Sequence, residues 1–179
     1  MFFNWIAILI SIPILWLLQN IIHELSHGLT RKVGWDWDFK IWPFPSNRLG
    51  RFTFAHVKYS RNSYSEEINN KGMALVSIMP KFSNLIFILI SGTLLYFHIG
   101  PAILLSILAV FTLCNYIDAM VGTLGIFINS KKDSKSDIWR FQRYLKLDIS
   151  KMRIVIAIIL ILLSGFVWGS IIPYFFFGT

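Results

Sequence analysis

Four long apolar runs, separated by short polar segments, dominate the pattern of the chain. The first spans Phe2 to Ile22 and continues in helical register through His23–Leu29 before it meets Arg31, Lys32 and Gly34. About 20 apolar residues suffice to cross a bilayer, so this run predicts a membrane helix. It exceeds a signal-peptide core, has no basic stretch before it and carries metal-type residues in its last turns, so it is expected to be retained. The second run, about 73–97, contains Pro80, which a membrane helix tolerates when neighbours satisfy the freed carbonyl; a kink is expected there. The third follows Gly100–Pro101, with proline at a favoured helix start, and runs to about Ile128. The fourth covers about 154–177. The expected spans are therefore about 2–29, 73–97, 101–128 and 154–177.

The polar segments carry patterns of their own. Trp37, Phe39 and Ile41 alternate with Asp36, Asp38 and Lys40, the period of a half-buried strand. After Pro43, Pro45, Ser46 and Asn47 a second alternating stretch runs from Arg51 to Tyr59, so residues of about 36–59 read as a β-hairpin. Its edge could pair with an extended substrate, or the hairpin could serve only as a membrane-surface platform. Residues 61–70 and 129–135 read as loops. From Ser136, the apolar residues Ile138, Trp139, Phe141, Tyr144 and Leu145 are interleaved with Arg140, Arg143 and Lys146, which suggests a short amphipathic helix at the membrane interface.

Composition sharpens this to a mainly α membrane protein: 55% of the 179 residues are apolar and 16% aromatic, above the balance of a soluble domain. At this length a single membrane-embedded domain, 1–179, is expected. All 17 lysines and arginines fall between Arg31 and Arg153. By the positive-inside rule both termini face outward, while the hairpin and the 129–153 segment are cytoplasmic. Lysines and arginines meeting anionic headgroups account for the net charge of +8, so no nucleic-acid partner is needed. Cys114 lies in an apolar run and is expected to pack there. His56 and His98 lie away from the other candidate ligands and are expected to be structural, and the tryptophans mostly mark the interfaces.

The candidate chemistry is concentrated in His23-Glu24-Leu25-Ser26-His27. On a helix, two histidines four residues apart share a face and can bind one zinc ion, and the intervening glutamate can act as general base on a water. Three ionisable residues at the end of an apolar span are costly in hydrocarbon and mark a functional site. Two histidines need a further ligand. Asp118 is the acidic residue deep in a later apolar run, with Asn115 on roughly the same face. At 1.5 Å per residue, Asp118 lies about 15 Å from the end of its helix near Ile128 and His23 about 12 Å from Arg31, which are compatible depths. The competitor is Asp137, in a basic polar segment that must fold back to reach the metal. Asp118 is favoured, because an unpaired aspartate in the bilayer is the costlier residue to leave unexplained.

The motif and the order of elements resemble the site-2 proteases, a family of intramembrane zinc metalloproteases. In that family the motif helix is followed by a β segment, a helix with a Gly-Pro-x-x-Asn-like element, and a helix carrying an asparagine and the third zinc ligand. Met79-Pro80-Lys81-Phe82-Ser83-Asn84 is similar to a relaxed form of the second element, and Asn115 matches the asparagine of the third. The family's Leu-Asp-Gly is absent; Asp118 stands near the family's proline position, and Asp137, in Ser-Asp-Ile-x-Arg, resembles the ligand turn after an insertion. The resemblance covers roughly Ile22 to Arg143 and implies a minimal core enzyme that hydrolyses a peptide bond of a membrane-embedded or membrane-associated substrate. It also implies Zn2+ as cofactor, Glu24 as the catalytic base, and Asn115 and Asn84 as contacts to substrate backbone or oxyanion. Two other readings stand beside it: an inactive metal- or partner-binding relative, and a small transporter.

Overall fold

The structure is a computed structural model of the chain, described here for residues 5–44, 46–48, 51–53, 55–61, 67–128 and 136–177. Residues 62–66 of the expected 61–70 loop and all of the expected 129–135 loop, with Lys131, Lys132 and Lys135, lie outside the described residues, as do Phe2–Asn4. The elements in order are α1 (Trp5–Trp35), β1 (Asp38–Trp42), β2 (Ser46–Arg48), β3 (Arg51–Thr53), β4 (His56–Ser60), α2 (Asn70–Tyr96), α3 (Ala102–Ile128), α4 (Asp137–Leu145) and α5 (Ile149–Phe177). Four of the helices, α1, α2, α3 and α5, are long and apolar enough to cross a membrane. The protein is thus a mainly α membrane protein with a small hairpin between its first two helices.

Helix ends explain most differences from the expected spans. α1 does not stop at the basic pair but continues to Trp35, since Arg31 and Lys32 are good helix formers and the Lys32 head is partly exposed. It ends where Asp36 adopts φ 54°, with Lys32 Nζ bound to the Asp36 carboxylate at 2.7 Å. α2 begins at Asn70, three residues before its apolar run, because Asn69 caps it by accepting the Gly72 N–H at 2.9 Å. α5 begins at Ile149, where the Asp148 carboxylate accepts the Lys151 N–H at 2.8 Å.

α2 is the hub, touching α1, α3, α4 and α5. Ile88, Leu95, Leu105, Val167 and Ile171 form the centre where α2, α3 and α5 meet. A second cluster joins Ile126 of α3, Ile138 and Trp139 of α4, and Met152 and Ile156 of α5. Ile8 of α1 packs on Val110 and Cys114 of α3, the packing role expected for the cysteine. Lipid tails are as apolar as these side chains, so close packing and internal hydrogen bonds hold such helices together. Ser91 and Thr112 link α2 to α3 at 2.7 Å, and Tyr116 and Ser164 link α3 to α5 at 2.7 Å. The opposite faces are apolar and uncovered: Ile6, Leu9, Ile161 and Leu162 are each about 70% exposed, as lipid contact requires.

The hairpin consists of two antiparallel pairs, β1 with β4 and β2 with β3, and matches the expected 36–59 region to within two residues. Phe39 pairs with Tyr59 across β1 and β4. It docks on α1 at Gly28, where a Cβ would stand 2.6 Å from the Phe39 ring. Only glycine admits that approach.

Candidate metal centre

The helical spacing of His23 and His27 sets their rings one turn apart, centroids 5.3 Å apart and nearly perpendicular. Each ring is held from behind through Nδ1. For His23 the partner is the Asp118 carboxylate at 3.0 Å, supplied by α3. For His27 it is the backbone carbonyl of Val76 in α2, at 2.8 Å. Both partners accept, so each neutral ring carries its proton on Nδ1 and presents an Nε2 lone pair.

The two Nε2 atoms converge on one carboxylate. Asp137 Oδ2 lies 3.2 Å from His23 Nε2 and 3.5 Å from His27 Nε2. Among the described residues, His23, His27 and Asp137 form a group able to hold a metal, with one ligand atom from each lying within 4.8 Å of the others. Tetrahedral zinc with bonds of 2.0–2.1 Å needs ligand atoms about 3.3 Å apart, which the two distances to Asp137 match, and two imidazoles with a carboxylate are donors suited to that ion. The three side chains are 12 to 17% exposed, so the cluster is largely but not wholly buried. Burial opposes ionisation of Asp137, yet without a metal the two imidazoles facing it, donating from Nε2 when protonated on both nitrogens, outweigh that and hold the carboxyl well below its usual range; a metal would take the place of those protons.

This placement favours Asp137, the alternative third ligand, over Asp118. Asp118 does come to His23 within the bundle, as expected of α3, but it meets Nδ1 and not the Nε2 that faces Asp137. It belongs instead to a buried polar network. Lys81 Nζ donates to the Asp118 carboxylate and to its backbone carbonyl, each at 3.1 Å. Asn84 donates a short hydrogen bond to the same carboxylate oxygen and accepts from Gln19 at 3.3 Å. Asp137 reaches the histidines because α4 buries Ile138 and Trp139 against α3 and α5, with Trp139 Nε1 donating to the Gly125 carbonyl at 3.3 Å. Trp139 is therefore a core residue rather than part of an interfacial belt. The short helix tucks under the bundle and carries the aspartate at its first turn.

Asn84 and Asn115 are both fully buried. The structure commits Asn84 to Asp118, not to an open surface; Asn115 donates to the Phe111 carbonyl at 2.8 Å, and its Oδ1 is buried without a partner among the described residues. Glu24, beside His23, makes no hydrogen bond or ion pair among the described residues. It lies close enough to Tyr59 of β4 to act on the phenol, as do Arg31, Asp137 and Arg140; burial foremost pushes that phenol up to about 12.

Sequence reasoning did not assign roles to Lys81, Tyr59 and Arg31. A signal for Lys81 existed: a lone lysine within an apolar span requires a carboxylate partner, and Asp118 is the acid in the facing run. Comparison with models of known families, with characterised proteins and with solved structures finds no match, so no family is assigned and the centre stands on its geometry.

Proposed function

We propose that the protein is an intramembrane zinc metalloprotease of the kind the site-2 proteases represent, with His23, His27 and Asp137 as the metal ligands. The observation that carries this reading is the convergence of two Nε2 lone pairs and one ionised carboxylate on a single point, with Glu24 uncommitted beside it. A zinc ion held there would supply an activated water and polarise the scissile carbonyl.

The chain's own residues perform the rest. Glu24 takes the proton of the attacking water and delivers it to the leaving amine. Asp118 and the Val76 carbonyl keep the Nδ1 protons of the two histidines in place, so neither ring can turn its lone pair away. Lys81 and Asn84 hold Asp118 in turn. The substrate is a peptide segment in or at the membrane, approaching beside the hairpin; the distribution of lysine and arginine supports a reading with the hairpin and α4 in the cytoplasm and both termini outside.

The test is zinc content and cleavage of a membrane peptide by the purified protein. Glu24→Gln should keep stoichiometric zinc and lose cleavage, while His23→Ala should lose both. Cleavage by Glu24→Gln at the wild-type rate excludes this chemistry. Stoichiometric zinc without cleavage in the wild type leaves a metal-binding protein that is not a protease.

A further inference from the structure

One turn beyond His27 the same face of α1 presents Arg31. Glu24, His27 and Arg31 follow one another at i, i+3 and i+7, so the guanidinium stands on the face that bears the metal ligands. It is held there by the hairpin. The Arg31 guanidinium carbon lies 3.7 Å from the Tyr59 ring centroid and 5.6 Å from that of Trp37, within cation–π range of both.

These rings position the charge without neutralising it. Arg31 has no ion-pair partner among the described residues, and its Nε is buried without a hydrogen bond. Arg140 of α4 lies near enough to act on Arg31 as a like charge. Arg140 itself is half-exposed, and its contact with the Asp137 carboxylate is long, 3.8 Å. Arg31, clamped by the hairpin rings, and Arg140, at the first turn of α4 beside Asp137, thus place two guanidinium groups around the carboxylate–histidine cluster, a positive field that favours an anion. A planar carboxylate matches their fork of donors.

The distance from the cluster indicates what brings the anion. Four residues of α1 separate Arg31 from His27, a rise of about 6 Å. An extended peptide advances about 3.3 Å per residue, so this is about two residues of substrate. We infer that Arg31 and Arg140 form a recognition site for a carboxylate of the peptide substrate, an acidic side chain or a free C-terminus about two residues from the scissile bond. A peptide is favoured over a lipid headgroup because Arg31 is clamped by two rings on the metal-site face. Exposed residues such as Lys40 and Lys58 are the ones free to meet headgroups. The inference rests on the protease reading for the meaning of the site, but its test does not require turnover.

The experiment measures binding to the Glu24→Gln protein in neutral detergent. The probes are labelled synthetic peptides with an apolar segment and an otherwise uncharged, amidated tail. A single glutamate is walked along the tail, each position matched by a glutamine counterpart, and one further peptide carries a free C-terminal carboxylate. At one or two tail positions, or for the free carboxylate, the acidic peptide should bind about tenfold more tightly than its neutral match. Arg31→Gln should abolish the difference while leaving neutral-peptide affinity unchanged. Arg140→Gln, a change at a half-exposed position, should reduce the difference with less risk to folding. Arg31→Lys should restore only part of it, since an ammonium lacks the planar fork.

Equal affinity for acidic and neutral peptides in every pair overturns the proposal, as does a preference that survives both glutamine variants. If Arg31→Gln instead abolishes a response to phosphatidylglycerol added to the micelles, with no peptide selectivity, the pair is a headgroup site and the proposal falls. Selective binding by a protein whose wild type never cleaves would uphold the recognition site and reject the protease.

Discussion

Val76 and Pro80 stand one turn apart in α2, and the proline has no N–H to give to the carbonyl of the valine. His27 supplies the missing donor at 2.8 Å. A gap in one helix thus orients a candidate metal ligand on another. Pro80→Ala should restore the helical hydrogen bond, place it in competition with His27, and weaken zinc binding about 10-fold or more, the usual cost of losing such a partner. Competition with a chelator, alongside thermal unfolding of the metal-free protein, checks this. Weaker zinc with equal or greater helix stability is expected, and unchanged affinity refutes the role given to Val76.

The two aspartates make separable demands. Asp137→Ala should remove stoichiometric zinc at any reasonable concentration. Asp118→Asn should still fill the site at high zinc, with affinity lowered about 10- to 100-fold because His23 loses a charged acceptor. Metal titration of the two purified variants decides between these roles. Full loss in Asp118→Asn with normal zinc in Asp137→Ala would return the ligand to α3.

Lys81 and Asp118 form an ion pair whose lysine side chain is only 9% exposed. Removing one partner strands a charge in a low-dielectric interior. Lys81→Met should therefore destabilise the protein by about 3 kcal/mol or more. Adding Asp118→Asn to it should recover most of that loss, so a double-mutant cycle measured by unfolding in detergent should return a large coupling energy. Additive effects would mean that the pair contributes nothing specific.

Gly28 and Phe39 allow a test of the hairpin. Gly28→Ala pushes a methyl into the Phe39 ring and should lift β1 and its partner β4 away from α1, moving Tyr59 from Glu24. Cleavage should fall while zinc content stays normal. Trimming the ring in the double variant Gly28→Ala, Phe39→Leu should restore part of the activity. Loss of zinc in the single variant would instead show that α1 itself had been distorted.

The four spans were legible because long apolar runs leave few alternatives, and the His23–His27 pair because helical spacing alone fixes its face. Residue-level pattern also gave the hairpin and the amphipathic α4. What it could not give was the meeting of Asp137 with the histidines. That contact depends on Ile138 and Trp139 packing against Ile126 of α3 and Met152 and Ile156 of α5, which is a property of the packed bundle and not of any local stretch. Judged by local cost, Asp118 was the more suspicious acid, and the suspicion had a basis: the residue is indeed paired, to Lys81 and His23. Asn84 and Asn115 were read as substrate contacts through resemblance, whereas packing places both wholly inside the bundle.

Because α4 delivers Asp137, the centre cannot be complete while the chain is still being made. His23 and His27 leave the ribosome early, and at ordinary elongation rates roughly 5 to 20 s pass before Asp137 follows. During that interval the nascent chain has the two histidines and the glutamate but not the carboxylate that closes the cluster. Assembly order thereby delays the proposed chemistry: the candidate centre stays incomplete until most of the polypeptide is in place around it.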